Sequence, residues 1–147
     1  MSNTVTNPVN TNNQATFQYN QNITFLGENT FEKHDYKSTA GTKTLAKGQV
    51  MGRIHATGKV LELKSGATDG SEIPFGILTT DIVILANETP NLSICVSGDV
   101  ASEMLIFDGS DDLATVVASR RLDDRIAGDT LGVKLIASTE NTVADNN

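Results

Sequence analysis

The stretch LAKGQVMGRIHATGKVLEL, residues 45–63, continues as KSGATDGSEIP and ends as FGILTTDIVIL at residue 85. Short apolar runs alternate in it with glycines, and Asp69 and Gly70 form a strong turn dipeptide. Apolar runs of this length between Gly, Asp and Pro are typical of β-strands joined by tight turns. The stretch therefore predicts a rigid β-sheet module of turn formers and core apolar residues, with nothing that resembles an active site.

The rest of the chain extends this pattern to a mainly β (α+β) fold. Apolar residues between Ile94 and Phe107 occupy both even-numbered and odd-numbered positions, as in strands that are buried on both faces. Ser119 is a candidate N-cap, and Gly128 a candidate end, of a helix over residues 120–126. We predict a small β-barrel or sandwich-like domain with one short helix near residues 120–127. The predicted strands are residues 31–36, 50–54, 59–63, 92–97, 103–107, 113–118 and 131–137, with alternating apolar residues at Ile73, Phe75, Ile77, Ile82 and Ile84.

The first 22 residues differ in composition from the rest. They carry no charged side chain and 14 of them are Asn, Thr or Gln, so alone they bury too little apolar area to offset the entropy of ordering. An uncharged, extended arm is suited to adding a strand to a partner's sheet edge, and a passive tail is the alternative. The predicted divisions are an arm at residues 1–30, a domain at residues 31–138 and a polar tail at residues 139–147. The predicted partner-binding side chains of the arm are Val5, Val9, Phe17, Tyr19, Ile23 and Phe25.

Charge and hydropathy exclude two classes of partner. The formal net charge is −7, whereas nucleic-acid binding requires clustered Lys and Arg, so we expect no nucleic-acid partner. No apolar run approaches the ~20 residues of a membrane span, and the first residues do not resemble a signal peptide, so we expect no membrane partner. Residues 1–66 carry a formal net charge of +3, and residues 67–147 carry a formal net charge of −10. This asymmetry predicts either two faces of opposite sign or surface charge that mixes on folding.

The chain lacks the known catalytic and metal-binding motifs. His34 beside Asp35, with His55, comes nearest to a catalytic group, but two His without a spacing motif are typical of surface residues. The acidic run at residues 108–112 lacks the Gly and Glu that an EF-hand loop requires. Cys95 has no basic or His neighbour in sequence and is predicted to be a buried apolar residue. We expect no catalytic residue, no metal and no cofactor.

The same central stretch resembles the bacteriophage head decoration (capsid cement) family of the lambdoid head protein D type. In that family a segment of the form G-x-(V/L)-(L/M)-G-(R/K)-(I/V)-x-x-T-G-K precedes a segment of the form DG…GIL…D. We expect the resemblance to extend to about Ala137 and to leave out the first forty residues. The matching positions are Gly48, Val50, Met51, Gly52, Arg53, Ile54, Thr57, Gly58, Lys59, Asp69, Gly70, Gly76, Ile77, Leu78 and Asp81.

The resemblance implies a structural virion protein and not an enzyme. It implies a homotrimer at threefold or quasi-threefold sites on the outer surface of an expanded phage head, made in the host cytoplasm. It also implies an N-terminal segment that reaches onto the major capsid protein. Two alternatives stay open: a small β-barrel that binds a ligand or acts as an enzyme through His34, Asp35 and His55, and a tail or spike component of the virion.

Overall fold

A computed structural model describes residues 24–129 and 132–137 of the chain. These residues form mostly β-structure with one short helix, as predicted. No helix in this part of the chain is long and apolar enough to cross a membrane. A 3₁₀ turn at Ser102–Met104, the helix α1 at Leu122–Asp124 and a π-helical turn at Arg125–Asp129 lie between strands. The strands are β1 (Phe25–Asp35), β2 (Lys43–Leu45), β3 (Val50–Arg53), β4 (Val60–Glu62), β5 (Pro74–Leu78), β6 (Ile82–Ile84), β7 (Asn91–Ala101), β8 (Val116–Val117), β9 (Arg120–Arg121) and β10 (Gly132–Ile136).

Strand β7 is the centre of a six-stranded main sheet. Strand β1 pairs antiparallel with it along its whole length. The opposite edge of β7 is shared, because β5 pairs antiparallel with Ile94 and Cys95 while β10 pairs parallel with the residues from Ser97 to Ala101. Strand β3 pairs with β5, and β4 pairs with β3. The order is therefore β10-β7-β5-β3-β4, with β1 on the other edge of β7.

The main sheet is buried on both faces, because consecutive residues of its central strands enter different core clusters. Ile94 and Cys95 illustrate this: they are neighbours in β7, both are 0% exposed, and they lie in different clusters. The prediction of strands buried on both faces is confirmed for β7, but not for residues 103–107, which form no strand. We call the two sides the helical face, whose cluster includes Leu122 and Ile126 near α1, and the small-sheet face, whose cluster includes Leu45 and Ile84.

The small-sheet face takes its name from the two-stranded antiparallel sheet of β2 and β6. It also contains a buried polar group. The Tyr36 hydroxyl donates to Glu62 Oε1 over 2.5 Å, and Lys43 Nζ lies 3.4 Å from Glu62 Oε2. Burial and the adjacent Glu62 carboxylate raise the pKa of Tyr36 well above its ordinary value of 10.0. Glu62 is only 4% exposed, so these two partners supply the hydrogen bond and countercharge that a buried carboxylate needs.

Two predicted strands are wrong in their boundaries. Residues 92–97 and 103–107 were expected to be strands separated by a turn at Gly98, but β7 continues through Gly98 to Ala101. Gly98 instead has a positive φ of 106° inside the strand, where β1 bulges against it. Residues 103–107 form no strand, because the 3₁₀ turn at Ser102–Met104 includes the first two of them, and the strand-like pairing of the others is a single bridge between Ile106 and Gln49.

The predicted helix lies close to its expected position but starts later. Ser119 was predicted as its N-cap, whereas Ala118 and Ser119 have φ values of 49° and 68° and form the tight turn between β8 and β9. The helix begins at Leu122, and its N-cap residue Arg121 makes no side-chain capping bond. Such a turn requires left-handed backbone at both central residues, which is unusual for Ala and was not predictable from this pair.

Candidate functional site

Strand β1 is the point at which the N-terminal arm meets the domain. Thr24, the first described residue, is 1% exposed, and its carbonyl accepts a hydrogen bond from the Ala101 amide at 2.8 Å. Phe25 packs against the core cluster of the helical face and meets the Phe31 ring edge-to-face, with 5.9 Å between ring centroids. The main sheet thus begins at Phe25, six residues before the predicted start of the domain at residue 31. The residues that precede it are attached to a buried, hydrogen-bonded position.

The first half of β1 is bent by an irregular register with β7 between Phe25 and Phe31. Asn29 locks this bend, since its Oδ1 accepts from the Gly27 amide at 3.1 Å while its Nδ2 donates to the Asp99 carbonyl at 3.1 Å. A Cβ at Gly98 would lie 2.6 Å from the Asn29 Cα, so the bend requires glycine there. The local sequence does not indicate this feature, because it depends on contacts between two strands 70 positions apart.

The outer edge of β1 carries no partner strand among the described residues. Residues 30–33 are exposed along it, and Phe31 is 51% exposed. An unpaired edge presents backbone N–H and C=O groups that another chain can pair with. The edge that continues the arm is therefore a surface to which a further strand can add.

Several motif glycines lie where backbones approach too closely for a side chain. A Cβ would lie 2.3 Å from the Met104 carbonyl oxygen at Gly48, 2.2 Å from the Ser71 carbonyl oxygen at Gly52, and 2.1 Å from Ile94 Cγ2 at Gly76. These separations are far below van der Waals contact, so the motif glycines are required by packing.

The polar motif residues hold turns. Asp69 accepts from the Ser71 hydroxyl at 2.6 Å and from the Ser71 amide at 3.1 Å, and these bonds keep the pKa of the Asp69 carboxyl below its ordinary value. Asp81 accepts from the Lys47 amide at 2.8 Å, which ties the turn after β5 to the turn before β3. In the turn after β3, Thr57 Oγ1 accepts from the Lys59 amide at 3.3 Å, and Gly58 has a positive φ of 75°.

A shallow cavity of about 220 Å³ opens next to these turns. It is lined by Arg53, His55, Gly70, Ile73, Pro74 and Phe75. The Arg53 guanidinium lies over the Phe75 ring, 5.0 Å from its centroid, and the His34 ring meets Phe75 edge-on with 4.7 Å between centroids. The register of β3 and β5 skips Phe75, since Met51 pairs with Gly76 and Gly52 with Pro74. This bulge directs Phe75 toward the small-sheet face, and periodicity alone did not predict it.

A protein-family model described as bacteriophage lambda head decoration protein D matches residues 17–124. The chain belongs to this family. No curated protein gives a significant match. The family match begins at Phe17, so the expectation that the resemblance omits the first forty residues is wrong, as is its expected extension to Ala137. The second half of the arm lies inside the matched region.

Membership of the head decoration family supports a role in decorating a phage capsid and implies a location in the virion capsid. Proteins of this family are structural components of the phage head and are not generally enzymes. The family is also one of head proteins, which favours the head over the tail or spike of the virion.

The predicted arm contacts fall in two groups. Phe25 is part of the chain's own sheet, so its side chain serves the domain. The remaining five lie outside the described residues, and their contact with a partner stays a prediction. They are Val5, Val9, Phe17, Tyr19 and Ile23.

The structure does not join His34, Asp35 and His55 into a catalytic group. His34 and Asp35 are consecutive in β1 and so point to opposite faces of the strand. His34 Nε2 contacts Glu32 Oε1 at 3.0 Å, whereas Asp35 accepts from Asn91 Nδ2 at 3.0 Å. The described residues contain no cluster of three His, Cys, Asp or Glu side chains placed to hold a metal.

Cys95 is placed as the sequence predicted. Its side chain is fully buried in the core cluster of the helical face, and its thiol donates to the Ser97 carbonyl at 3.2 Å. Burial raises the pKa of the thiol. A buried thiol of high pKa is a poor nucleophile, so Cys95 serves the core.

Proposed function

We propose that this protein binds the major capsid protein as a homotrimer on the outer surface of an expanded phage capsid and so stabilises the shell. Membership of the head decoration family is the observation that carries the proposal. A main sheet buried on both faces supports it, because a stiff domain can hold neighbouring shell subunits in a fixed arrangement.

In this proposal the N-terminal arm supplies the main contact with the shell. The first 27 residues carry no charged side chain, and the chain enters the main sheet at Thr24, beside the edge of β1 that no described strand pairs with. An extended segment gains affinity from main-chain hydrogen bonds and specificity from alternate side chains, here Phe17 and Tyr19. The buried attachment at Thr24 would transmit any pull on the arm directly to the main sheet.

Three arms on one trimer would act together. Once one arm has bound, the other two bind within the same complex, so their effective concentration is set by geometry rather than by the free protein. Modest affinity for each arm is then sufficient for stable attachment. This gain in affinity requires the trimer and would be absent for a single copy on the shell.

The arm is tested by deleting residues 1–22 and incubating the truncated protein with purified, expanded heads that lack the decoration protein. We expect a folded domain, judged by its circular dichroism, that no longer binds heads, measured by gel of the pelleted particles. Occupancy equal to that of the full-length protein would refute the role of the arm.

A full-length pair of variants separates the side chains from chain length. Phe17→Ser with Tyr19→Ser removes the two aromatic anchors, and Asn12→Ser with Gln14→Ser is the matched control that keeps the arm polar. We expect the first variant to bind heads more weakly and the second to bind like the parent. Equal binding of both would mean that these aromatic side chains make no contact with the shell.

A further inference from the structure

The Asn29 side chain links the first half of β1 to β7. Its Oδ1 accepts from the Gly27 amide at 3.1 Å, within β1. Its Nδ2 donates across the strand pair, to the Asp99 carbonyl at 3.1 Å and to the Ser97 carbonyl at 3.4 Å, and it lies 3.6 Å from Cys95 Sγ. One amide group thus makes a contact within its own strand and contacts at three positions of β7.

The register of the two strands explains why a side chain is needed here. Strand β1 has five residues, 26–30, between the positions that pair with Val100 and Cys95, whereas β7 has four, 96–99. An extra residue in one strand bends that strand and interrupts the ladder of backbone hydrogen bonds. The Asn29 amide group supplies hydrogen bonds between the strands at this interruption.

The backbones of the two strands also pack directly against each other at this bend. A Cβ at Gly98 would lie 2.6 Å from the Asn29 Cα and 2.6 Å from the Glu28 carbonyl oxygen. Residues 28 and 29 therefore have no free space on the side of β7. We call residues 27–29, together with residues 98 and 99, the Asn29 corner.

Three residues, 24–26, separate the Asn29 corner from the undescribed part of the arm. The Thr24 carbonyl accepts from the Ala101 amide at 2.8 Å, and Phe25 packs against the core cluster of the helical face. The corner and these two contacts together fix the place and the direction in which the chain enters the main sheet. A segment whose base is ordered before binding loses less conformational entropy when it binds.

We propose that Asn29 is a positioning residue for the arm, which holds the corner and so fixes the direction in which the arm leaves the domain toward the shell. This inference rests on the proposed role of the arm in binding the major capsid protein. Asn29 acts through Thr24 and Phe25, because its own hydrogen bonds lie inside the chain.

The inference is tested with Asn29→Ala in the full-length protein, added to purified, expanded heads that lack the decoration protein. Without the amide, residues 24–28 are ordered only on binding. The concentration needed for half occupancy of heads should therefore rise by about two- to tenfold, the cost of ordering one or two further side chains.

Amide hydrogen exchange of the free protein separates positioning from general stability. The Ala101 amide, which donates to the Thr24 carbonyl, should exchange faster in Asn29→Ala than in the parent. The Leu78 amide donates to the Gln49 carbonyl at 2.9 Å, away from the corner, and should exchange as in the parent. Faster exchange at both amides would mean that Asn29 stabilises the whole domain and would overturn the inference.

Asn91→Ala is the matched control. Asn91 Nδ2 donates to Asp35 Oδ1 at 3.0 Å and so links the same two strands at the end far from the arm. We expect this variant to occupy heads like the parent. A loss of occupancy equal to that of Asn29→Ala would overturn the inference, since any bond between β1 and β7 would then serve.

Asn29→Ser provides a second variant that is closer to the parent. Its hydroxyl can accept from the Gly27 amide, but it lacks the Nδ2 group that reaches β7. We expect half occupancy to shift in the same direction as for Asn29→Ala. Unchanged half occupancy in a folded variant of either kind would overturn the inference.

A combined variant shows whether Asn29 acts through the arm. Asn29→Ala is added to Phe17→Ser with Tyr19→Ser, and the joint loss of occupancy should be smaller than the product of the separate losses. A joint loss equal to that product would overturn the inference, because the two changes would then act independently. If the parent itself fails to bind heads, the proposed function fails, and that result is distinct from parent binding that Asn29→Ala leaves unchanged.

Discussion

Gly76 and Ile94 form a contact whose energy can be measured by a double-mutant cycle. Strand β5 passes so close to β7 that a Cβ at Gly76 would lie 2.1 Å from Ile94 Cγ2 and 2.9 Å from the Cys95 carbonyl oxygen. Ile94 is 0% exposed, and its β-branched side chain has few alternative rotamers, so it cannot move aside. Gly76→Ala therefore overpacks the small-sheet face of the core.

The expected magnitudes follow from this geometry. Overpacking costs about 1–3 kcal/mol, and Ile94→Ala, which leaves a cavity, costs about 2–5 kcal/mol. Ile94→Ala also removes the Cγ2 atom with which the new methyl collides, so the combined variant should be more stable than the sum of the single effects. We expect a favourable coupling of about 1–3 kcal/mol, reduced by the remaining contact with the Cys95 carbonyl.

The assay is urea unfolding followed by circular dichroism, with the free energy of unfolding extrapolated to water for the parent, both single variants and the double variant. Gly66→Ala is the matched control, because a Cβ there meets nothing within 4 Å, and it should leave the stability nearly unchanged. Strict additivity of Gly76→Ala and Ile94→Ala, or a neutral Gly76→Ala, would refute the packing argument.

Further predictions concern two buried polar groups. Tyr36→Phe removes the hydroxyl that donates to Glu62 and should cost about 1.5–3 kcal/mol, the value of a hydrogen bond to a charged group, measured by the same urea unfolding. Because the folded-state pKa of Tyr36 lies above its ordinary 10.0, its contribution is complete below pH 10 and lost as the pH rises further, so the parent should lose more stability than Tyr36→Phe above pH 10. Cys95 should react with a thiol reagent only as fast as the protein opens, and rapid labelling of the native protein would contradict its burial.

The motif residues that relate this chain to its family stabilise the fold more than they form a binding surface. Gly48, Gly52 and Gly76 lie where a neighbouring segment leaves no room for a Cβ atom, and the Asp69 and Asp81 carboxylates accept hydrogen bonds that stabilise turns. Function then depends on what this framework presents to the outside. Among the described residues, the framework presents an edge of β1 with which no described strand pairs, and a cavity next to Arg53.

The sequence by itself determined the fold class, the strands of the central stretch and the burial of Cys95. The strands of residues 50–54 and 59–63 and the loop that contains Asp69 were found where expected, because short apolar runs and an Asp–Gly turn act over a few residues. The final strand also formed within its predicted residues. The motif indicated the family, and the family match confirmed it.

Only the tertiary structure decided the continuity of β7, the bend of β1 and the position of Phe75. Gly98 resembles a turn in the sequence, but pairing with β1 on one edge and β10 on the other carries the strand through it. Phe75 turns toward Arg53 because a bulge shifts the register of β3 and β5. Each of these depends on partners distant in the chain, whose hydrogen bonds and packing outweigh local preference.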